Sequence, residues 1–306
     1  MTPTLAIDLG GSKIAYGLFE NGSFIEKAEQ PFRFFGDEKG LLAAIETQVQ
    51  KWRGYGITEI GIGSPGRIDD GTIYSAVNLG YDLLPIQLKL EEALQLPVYT
   101  ENDATAALLG ELVFGSLKGS SNAILLTIGT GIGGGLVIDG KVYKGAANKA
   151  GEFGHYTYMR NGIQCSCGKK GCWEMYASSK ALIQMTKDSA SKDGMLAEFT
   201  NGNIESLNGK IFFKAISSGD REAIVILEQF TTYVADGIVD LLDILDVEMV
   251  AVGGGISRTG IIDLVRSKVQ SFHPSCNVQP ASLGNAAGLY GAAVLNTYSS
   301  RRAEHD

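Results

Sequence analysis

The sequence is short of basic residues, proline and uninterrupted apolar runs, and each shortage excludes something. Of its 306 residues, 26 are Lys or Arg and 34 are Asp or Glu, a formal net charge of −8. A nucleic-acid binder usually carries a basic face that neutralises phosphates, so that class is disfavoured. An anionic ligand is not excluded by the same argument, because oriented backbone dipoles and a bound cation act locally. No apolar run approaches the roughly 18 residues that a membrane-spanning helix needs. Met1–Thr4 show no basic region leading into a signal-peptide core, so the expected compartment is the cytoplasm. Only 7 prolines accompany 40 glycines, which excludes collagen-like and low-complexity chains. No G-x-x-x-x-G-K-[ST] phosphate loop occurs anywhere.

What is present can build a core: 44% of the residues are hydrophobic and 20% charged. The length favours about two domains. Leu5–Leu9, Ile14–Phe19 and Ser23–Ala28 read as three short antiparallel strands, the last two joined by the turn signal Asn21-Gly22. Helical spacing follows over Leu41–Trp52, then a strand over Ile57–Ile62, a helix over Ile86–Leu94, a strand over Val98–Thr100 and a helix over Asn102–Phe114. About 120 residues on, the opening pattern recurs. Ala123–Ile128 reads as a strand, Gly129–Gly135 as a glycine loop, and Leu136–Ile138 with Lys141–Tyr143 as a hairpin across Asp139-Gly140. The repetition predicts two related α/β halves facing a cleft. Residues 145–175 look irregular and residues 178–246 mostly helical; Met249–Val252 reads as a strand, and Ile261–Phe272 and Ala286–Tyr298 as closing helices.

Gly129-Thr130-Gly131-Ile132-Gly133-Gly134 matches G-x-G-x-x-G formally, but a strand and turn follow it where a dinucleotide site needs a helix. What remains is a tight hairpin whose backbone N–H groups can cradle an anion. Asp8-Leu9-Gly10-Gly11-Ser12-Lys13 offers a second such turn, and Gly253-Gly254-Gly255 a third glycine segment after a strand. Each alone reads equally as a hairpin in which glycine relieves strain; together they point to nucleotide phosphates.

His155 is followed by Cys165, Cys167 and Cys172, a full set of one imidazole and three thiolates for tetrahedral Zn²⁺. Glycines within Cys-x-Cys-Gly-x-x-Gly-Cys turn the chain so that the sulfurs can converge. Buried free thiols or a disulfide are the other readings, and a disulfide would leave an odd cysteine. Four protein ligands leave no open position for water, so the site reads as structural. Cys276 reads as a lone thiol.

These segments together resemble the ROK family of bacterial sugar kinases and repressors over nearly the whole chain. The matching pieces are Asp8–Lys13, Glu101-Asn102-Asp103-Ala104, Gly129–Gly135, Gly151-Glu152-Phe153-Gly154-His155, Cys165–Glu174 and Gly253–Gly255. Ser12 departs from the family's usual Thr but keeps the hydroxyl. The resemblance implies an α/β, duplicated ribonuclease-H-like (actin-like ATPase) two-domain fold with an interdomain cleft and a zinc-binding loop. The expected division is a small domain over 1–115, joined by the C-terminal helix 286–306, and a large domain over 116–285 containing the zinc motif 155–172. The resemblance implies phosphate contacts from Gly10, Gly11, Ser12, Lys13, Thr130, Gly131, Gly133 and Gly134. It implies an adenosine side at Gly253 and Gly254, and Mg²⁺ anchored through water by Asp8.

Asp103 is implied as the general base, and Asn102, Glu152, His155 and Glu174 as sugar-hydroxyl ligands. The residues themselves also allow Asp103 as a helix cap, Asp8 as a turn carboxylate, and Glu152 and Glu174 as solvated loop acids. The implied reaction is ATP-dependent phosphorylation of a hexose, with glucose first among acceptors. N-acetylmannosamine, N-acetylglucosamine, fructose, mannose and allose are the alternatives, and a non-catalytic sugar sensor stands behind them. Family repressors place a DNA-binding segment before the sugar module; Asp8 stands seven residues from Met1, which is read here as leaving no room for one. The expected partners are a hexose and ATP, with no nucleic acid and no membrane, in a homo-dimer or tetramer.

Overall fold

The computed structural model describes residues 3–191, 193–258 and 260–298. Two compact units divide them: one of residues up to Gly119 with Lys141–Ala150 and the chain from Ser282, the other of Ser120–Gly140 and Gly151–Ala281.

In the first unit the chain runs β1 (Thr4–Leu9), β2 (Lys13–Glu20), β3 (Ser23–Pro31), α1 (Glu38–Trp52), β4 (Glu59–Ser64), β5 (Arg67–Asp69), β6 (Thr72–Ala76), β7 (Tyr81–Leu84), α2 (Ile86–Leu94), β8 (Val98–Asn102) and α3 (Asp103–Phe114). The main sheet has the order β3-β2-β1-β4-β8, antiparallel within the opening meander and parallel from β1 through β4 to β8. Alternation along β1 decides what each face holds. Leu5, Ile7 and Leu9 enter the core that includes Leu41, Ile45, Val49 and Trp52 of α1. Ala6 points the other way, into a cluster with Phe19, Leu289, Ala292 and Ala293, and Asp8 follows Ala6 on that face by the same period.

The opposite face is covered by α3 and α10 (Ala287–Ala292). Small residues let these helices nearly touch: a Cβ on Gly291 would lie 1.6 Å from the Ala106 carbonyl oxygen, and one on Gly110 would lie 2.3 Å from that of Ala287. The closing helix expected over Ala286–Tyr298 is broken. A turn at Ala293–Val294 separates α10 from a helical turn at 295–298, and the rest of the expected 286–306 helix lies outside the described residues. The small sheet β5-β6-β7 was not expected from sequence. Its strands are too short to show a period, although Asp70 and Gly71, both at positive φ, make an Asp-Gly turn of the hairpin type.

The second unit contains β9 (Ala123–Ile128), β10 (Ile132–Ile138), α4 (Glu174–Ala177), α5 (Ser179–Ser189), α6 (Met195–Phe199), α7 (Gly209–Ser217), α8 (Arg221–Leu245), β12 (Met249–Gly254), α9 (Ile261–Gln270) and β13 (Asn277–Pro280); β11 (Lys141–Tyr143) falls in the first unit's segment. Strands β10-β9-β12-β13 lie in that order, antiparallel at the hairpin and parallel beyond it. This repeats the β2-β1-β4-β8 sequence of the first unit, so the two sheets share one topology. The core centres on α8, where Ala223, Ile226, Phe230, Val234 and Ile238 are buried. Trp173 is fully buried and donates from Nε1 to the Tyr233 carbonyl at 2.8 Å. It lies flat enough on α8 that a Cβ on Gly237 would meet its ring at 2.0 Å. The short strand β13 carried no sequence signal.

One expectation is corrected here. The glycine loop is only Gly129–Gly131; Gly133–Gly135 belong to β10 and pair with Thr127, Leu126 and Leu125. The later segment packs on the strand at Gly134, where a Cβ would sit 2.5 Å from the Phe153 ring, and a Cβ on Gly151 would lie 2.7 Å from the Gly134 carbonyl oxygen; a Cβ on Gly133 would instead meet Thr127 Oγ1 of β9 at 2.8 Å. Among the described residues no helix is long and apolar enough to cross a membrane.

Candidate functional site

In the first unit the residues of interest gather at the carboxyl ends of the parallel strands, where open α/β sheets bind ligands. Asp8, Gly63 and Glu101 stand in register across β1, β4 and β8, with Ser64 opposite Asn102 one step on. The Asp8 carboxyl lies against α10: a Cβ on Gly288 would come within 3.1 Å of it. Loss of solvent pushes the Asp8 pKa up to about 6, the negative charge of Asp103 adds to this, and Lys13 opposes it. Asp103 is also raised, chiefly by desolvation, against hydrogen bonds from backbone amides and from Asn102 that lower it. The β1–β2 turn is closed by Gly10 N–H donating to the Lys13 carbonyl at 2.9 Å. Gly11 and Ser12 are exposed there, and Lys13 pairs with Glu29 of β3 at 2.6 Å.

Asn102 caps α3. Its Oδ1 accepts from the amides of Ala104 and Thr105 at 3.0 and 3.2 Å, and its Nδ2 donates to the Gly66 carbonyl at 2.9 Å. The capping reading therefore belongs to Asn102. Asp103 opens the helix, with Oδ1 accepting from the Ala104 amide at 2.8 Å. Sequence reasoning passed over Glu101. It is buried, accepts from the Asn102 amide at 2.9 Å and pairs with Lys144, so it fixes the strand end that presents Asn102 and Asp103. Its place in the strand, next to a polar pair, was the available signal.

In the second unit the Gly129–Gly131 turn is closed by Gly129 N–H donating to the Gly131 carbonyl at 2.9 Å, with Thr130 exposed at its tip. Ser179, the first residue of α5, donates its N–H to the Gly129 carbonyl at 2.8 Å and ties the turn down. Thr127 of β9 has Gly133 on one side and Gly253 of β12 on the other, which brings the two glycine segments side by side. Gly254 takes φ 88°, and a Cβ there would lie 2.3 Å from the Ile128 carbonyl oxygen, so both conformation and space demand glycine.

The His155, Cys165, Cys167 and Cys172 ligand atoms all lie within 4.8 Å of one another. Cys167 and Cys172 sulfurs are 3.5 Å apart, and Cys165 Sγ is 3.7 Å from His155 Nδ1. Zn–S bonds of about 2.3 Å in a tetrahedron space their sulfurs by just under 4 Å, so the donor set fits that ion in number, type and spacing. Left-handed Gly168 and Gly171 bend the chain back. Glu174 joins the cluster, with Oε1 3.1 Å from Cys165 Sγ and 3.4 Å from His155 Nδ1. Glu152 does not: its carbonyl accepts from the His155 amide at 3.0 Å, but its side chain is exposed.

A repeated hairpin-plus-parallel sheet, glycine turns at the strand ends and a Cys₃His cluster coincide with a match to the ROK family model over residues 4–298. The chain belongs to the ROK family. It is 35% identical to a glucokinase of Streptomyces coelicolor, covering 95% of this chain and 96% of that protein. It is 34% identical to the xylose repressor of Bacillus subtilis, covering 79% of this chain but 61% of the repressor. Among solved structures it resembles the ROK glucokinase of Streptomyces griseus in complex with glucose and AMPPNP, at 33% identity and a TM-score of 0.78, over 96% of this chain and 98% of that one. The actin-like α/β architecture expected from the resemblance holds.

Proposed function

We propose that this ROK protein is an ATP-dependent sugar kinase that phosphorylates glucose at its primary hydroxyl. The observation that carries the reading is the end-to-end match to a glucokinase, 95% of this chain against 96% of that one, where the repressor match covers only 61% of its partner.

In this reading Asp103 accepts the proton of the attacking hydroxyl. Its raised proton affinity suits a base, and Asn102 already serves as the helix cap. Phosphoryl transfer needs mostly positioning and charge stabilisation. The Gly10–Lys13 and Gly129–Gly131 turns present the N–H groups of Gly11, Ser12, Thr130 and Gly131 to the phosphates, Gly133 and Gly134 support the second turn from β10, and Gly253–Gly254 border the adenosine. Asp8 would hold Mg²⁺, and the ion would neutralise phosphate charge. Glu152 and Glu174 accept hydrogen bonds from sugar hydroxyls, Asn102 adds a polar edge, and His155 would give one ring nitrogen to Zn²⁺ and offer the other to the sugar. With four protein ligands and no open position, the zinc would be structural. Assembly into a dimer or tetramer belongs to the same proposal, and sedimentation equilibrium measures it.

The test is ADP release over a panel of hexoses and N-acetylhexosamines. Glucose is expected to give the highest kcat/KM. A higher value for an N-acetylhexosamine would reassign the acceptor, and no ADP release with any sugar would overturn the kinase.

A further inference from the structure

Glu174 stands between two features of the second unit that the sequence treats separately. Its Oε1 faces the cluster, 3.1 Å from Cys165 Sγ and 3.4 Å from His155 Nδ1. Its Oε2 lies against Gly131 in the glycine turn. A Cβ on Gly131 would come within 2.5 Å of that oxygen and 3.6 Å of the carboxyl carbon, and would meet nothing else within 4 Å. Gly131 is absent from the glycines at positive φ, so its backbone conformation is open to any residue. Glycine at 131 is therefore explained by the approach of Glu174.

We propose that Glu174, beyond the sugar contact assigned to it above, fixes the glycine turn and the His155/Cys cluster in one arrangement, coupling nucleotide affinity to sugar affinity through the Gly131–Glu174 contact. This rests on the reading that the turn takes ATP phosphates and that the cluster side takes the sugar. The turn is held on one side by the Ser179 amide and abuts the carboxylate on the other. The carboxylate cannot leave Gly131 without moving its other oxygen at Cys165 and His155. Oε1 packs directly against two of the cluster's donor atoms, so the same displacement disturbs the cluster. Coupling of this kind is reciprocal.

The test is a double-mutant cycle on the zinc-loaded full chain with Gly131→Ala, Glu174→Ala and the double variant. Glucose binding and Mg·ADP binding are measured calorimetrically without turnover, and zinc release to a chelator is measured in parallel. Gly131→Ala, although in the nucleotide turn, is expected to weaken glucose binding about five- to tenfold and to speed zinc release. The double variant should be no worse than Glu174→Ala alone, because the displaced group is already gone. Unchanged glucose affinity and zinc release in Gly131→Ala, or strictly additive effects in the double variant, would overturn the coupling. Should the unmutated protein bind neither glucose nor Mg·ADP, the kinase reading fails by itself, and zinc release alone decides the contact.

Discussion

Glu111 accepts a hydrogen bond from the amide of Leu283 at 2.8 Å, joining positions 172 residues apart. The same fully buried carboxylate accepts from the Ser116 amide and hydroxyl at 2.8 and 2.9 Å, and from the Ser282 amide and hydroxyl at 3.2 Å each. Within the first unit it thus fixes the end of α3 to the segment that enters α10. Five donors on one buried acceptor mean that its removal orphans several polar groups at once. Glu111→Ala should cost about 3 kcal/mol or more, read as a large drop in calorimetric Tm. A Tm equal to that of the unmutated protein would show that water replaces the carboxylate.

Glu111 also marks where sequence reading stopped. Its helix was legible from apolar spacing, and so was nearly every long element; α2 and β11 end where the pattern ends. The Cys₃His set was legible because its chemistry is written in adjacent residues. Glu111 carries no such mark, since its partners Ser282 and Leu283 come from the far end of the chain. Glu101 was hidden in the same way by a partner, Lys144, 43 residues away. The β5–β7 sheet was missed because strands of three to five residues have no period to read. The glycines of β10 were mistaken for loop because the segment that packs on them, Gly151–Gly154, is distant in sequence.

Asp8 predicts an opposition of stability and function. Its pKa is raised from 3.8 to about 6, first by desolvation and then by Asp103. A carboxyl whose folded pKa exceeds its unfolded one binds its proton more tightly in the native state, so stability falls as pH rises from about 4 to about 6. Above that, ionised Asp8 costs at most about 3 kcal/mol. Asp8→Asn removes this cost. The variant should melt higher than the parent at pH 8 and lose that advantage near pH 4, while kinase activity should fall sharply on the proposal that Asp8 anchors Mg²⁺. Melting curves across this range check it; a difference in Tm that does not change with pH would mean that Asp8 does not titrate as described.

The cluster predicts one zinc per chain in protein purified without added metal. Cys167 is the exposed ligand of the set, so its replacement disturbs the core least. Cys167→Ser should nevertheless abolish stoichiometric zinc, lower stability by about 3 kcal/mol and weaken sugar binding, because metal binding here is folding energy for the loop that carries Glu174. Metal analysis with parallel melting curves measures both. A metal-free Cys167→Ser protein with full activity would remove the structural role.

Asp103→Asn separates catalysis from architecture. The helix cap is Asn102, whose Oδ1 accepts from Ala104 and Thr105, so the substitution leaves the cap in place. The new amide oxygen can still accept from the Ala104 amide, which now takes 2.8 Å contact with Asp103 Oδ1. Stability should change by less than about 1 kcal/mol. What is lost is the proton acceptor. General-base catalysis contributes about 10²–10⁴-fold, so kcat should fall by that order while glucose affinity changes far less, the amide still bonding the hydroxyl. Single-turnover phosphorylation and equilibrium glucose binding on the two proteins give the two halves of the answer. Near-normal turnover in Asp103→Asn would place the base elsewhere, even with the kinase activity itself intact.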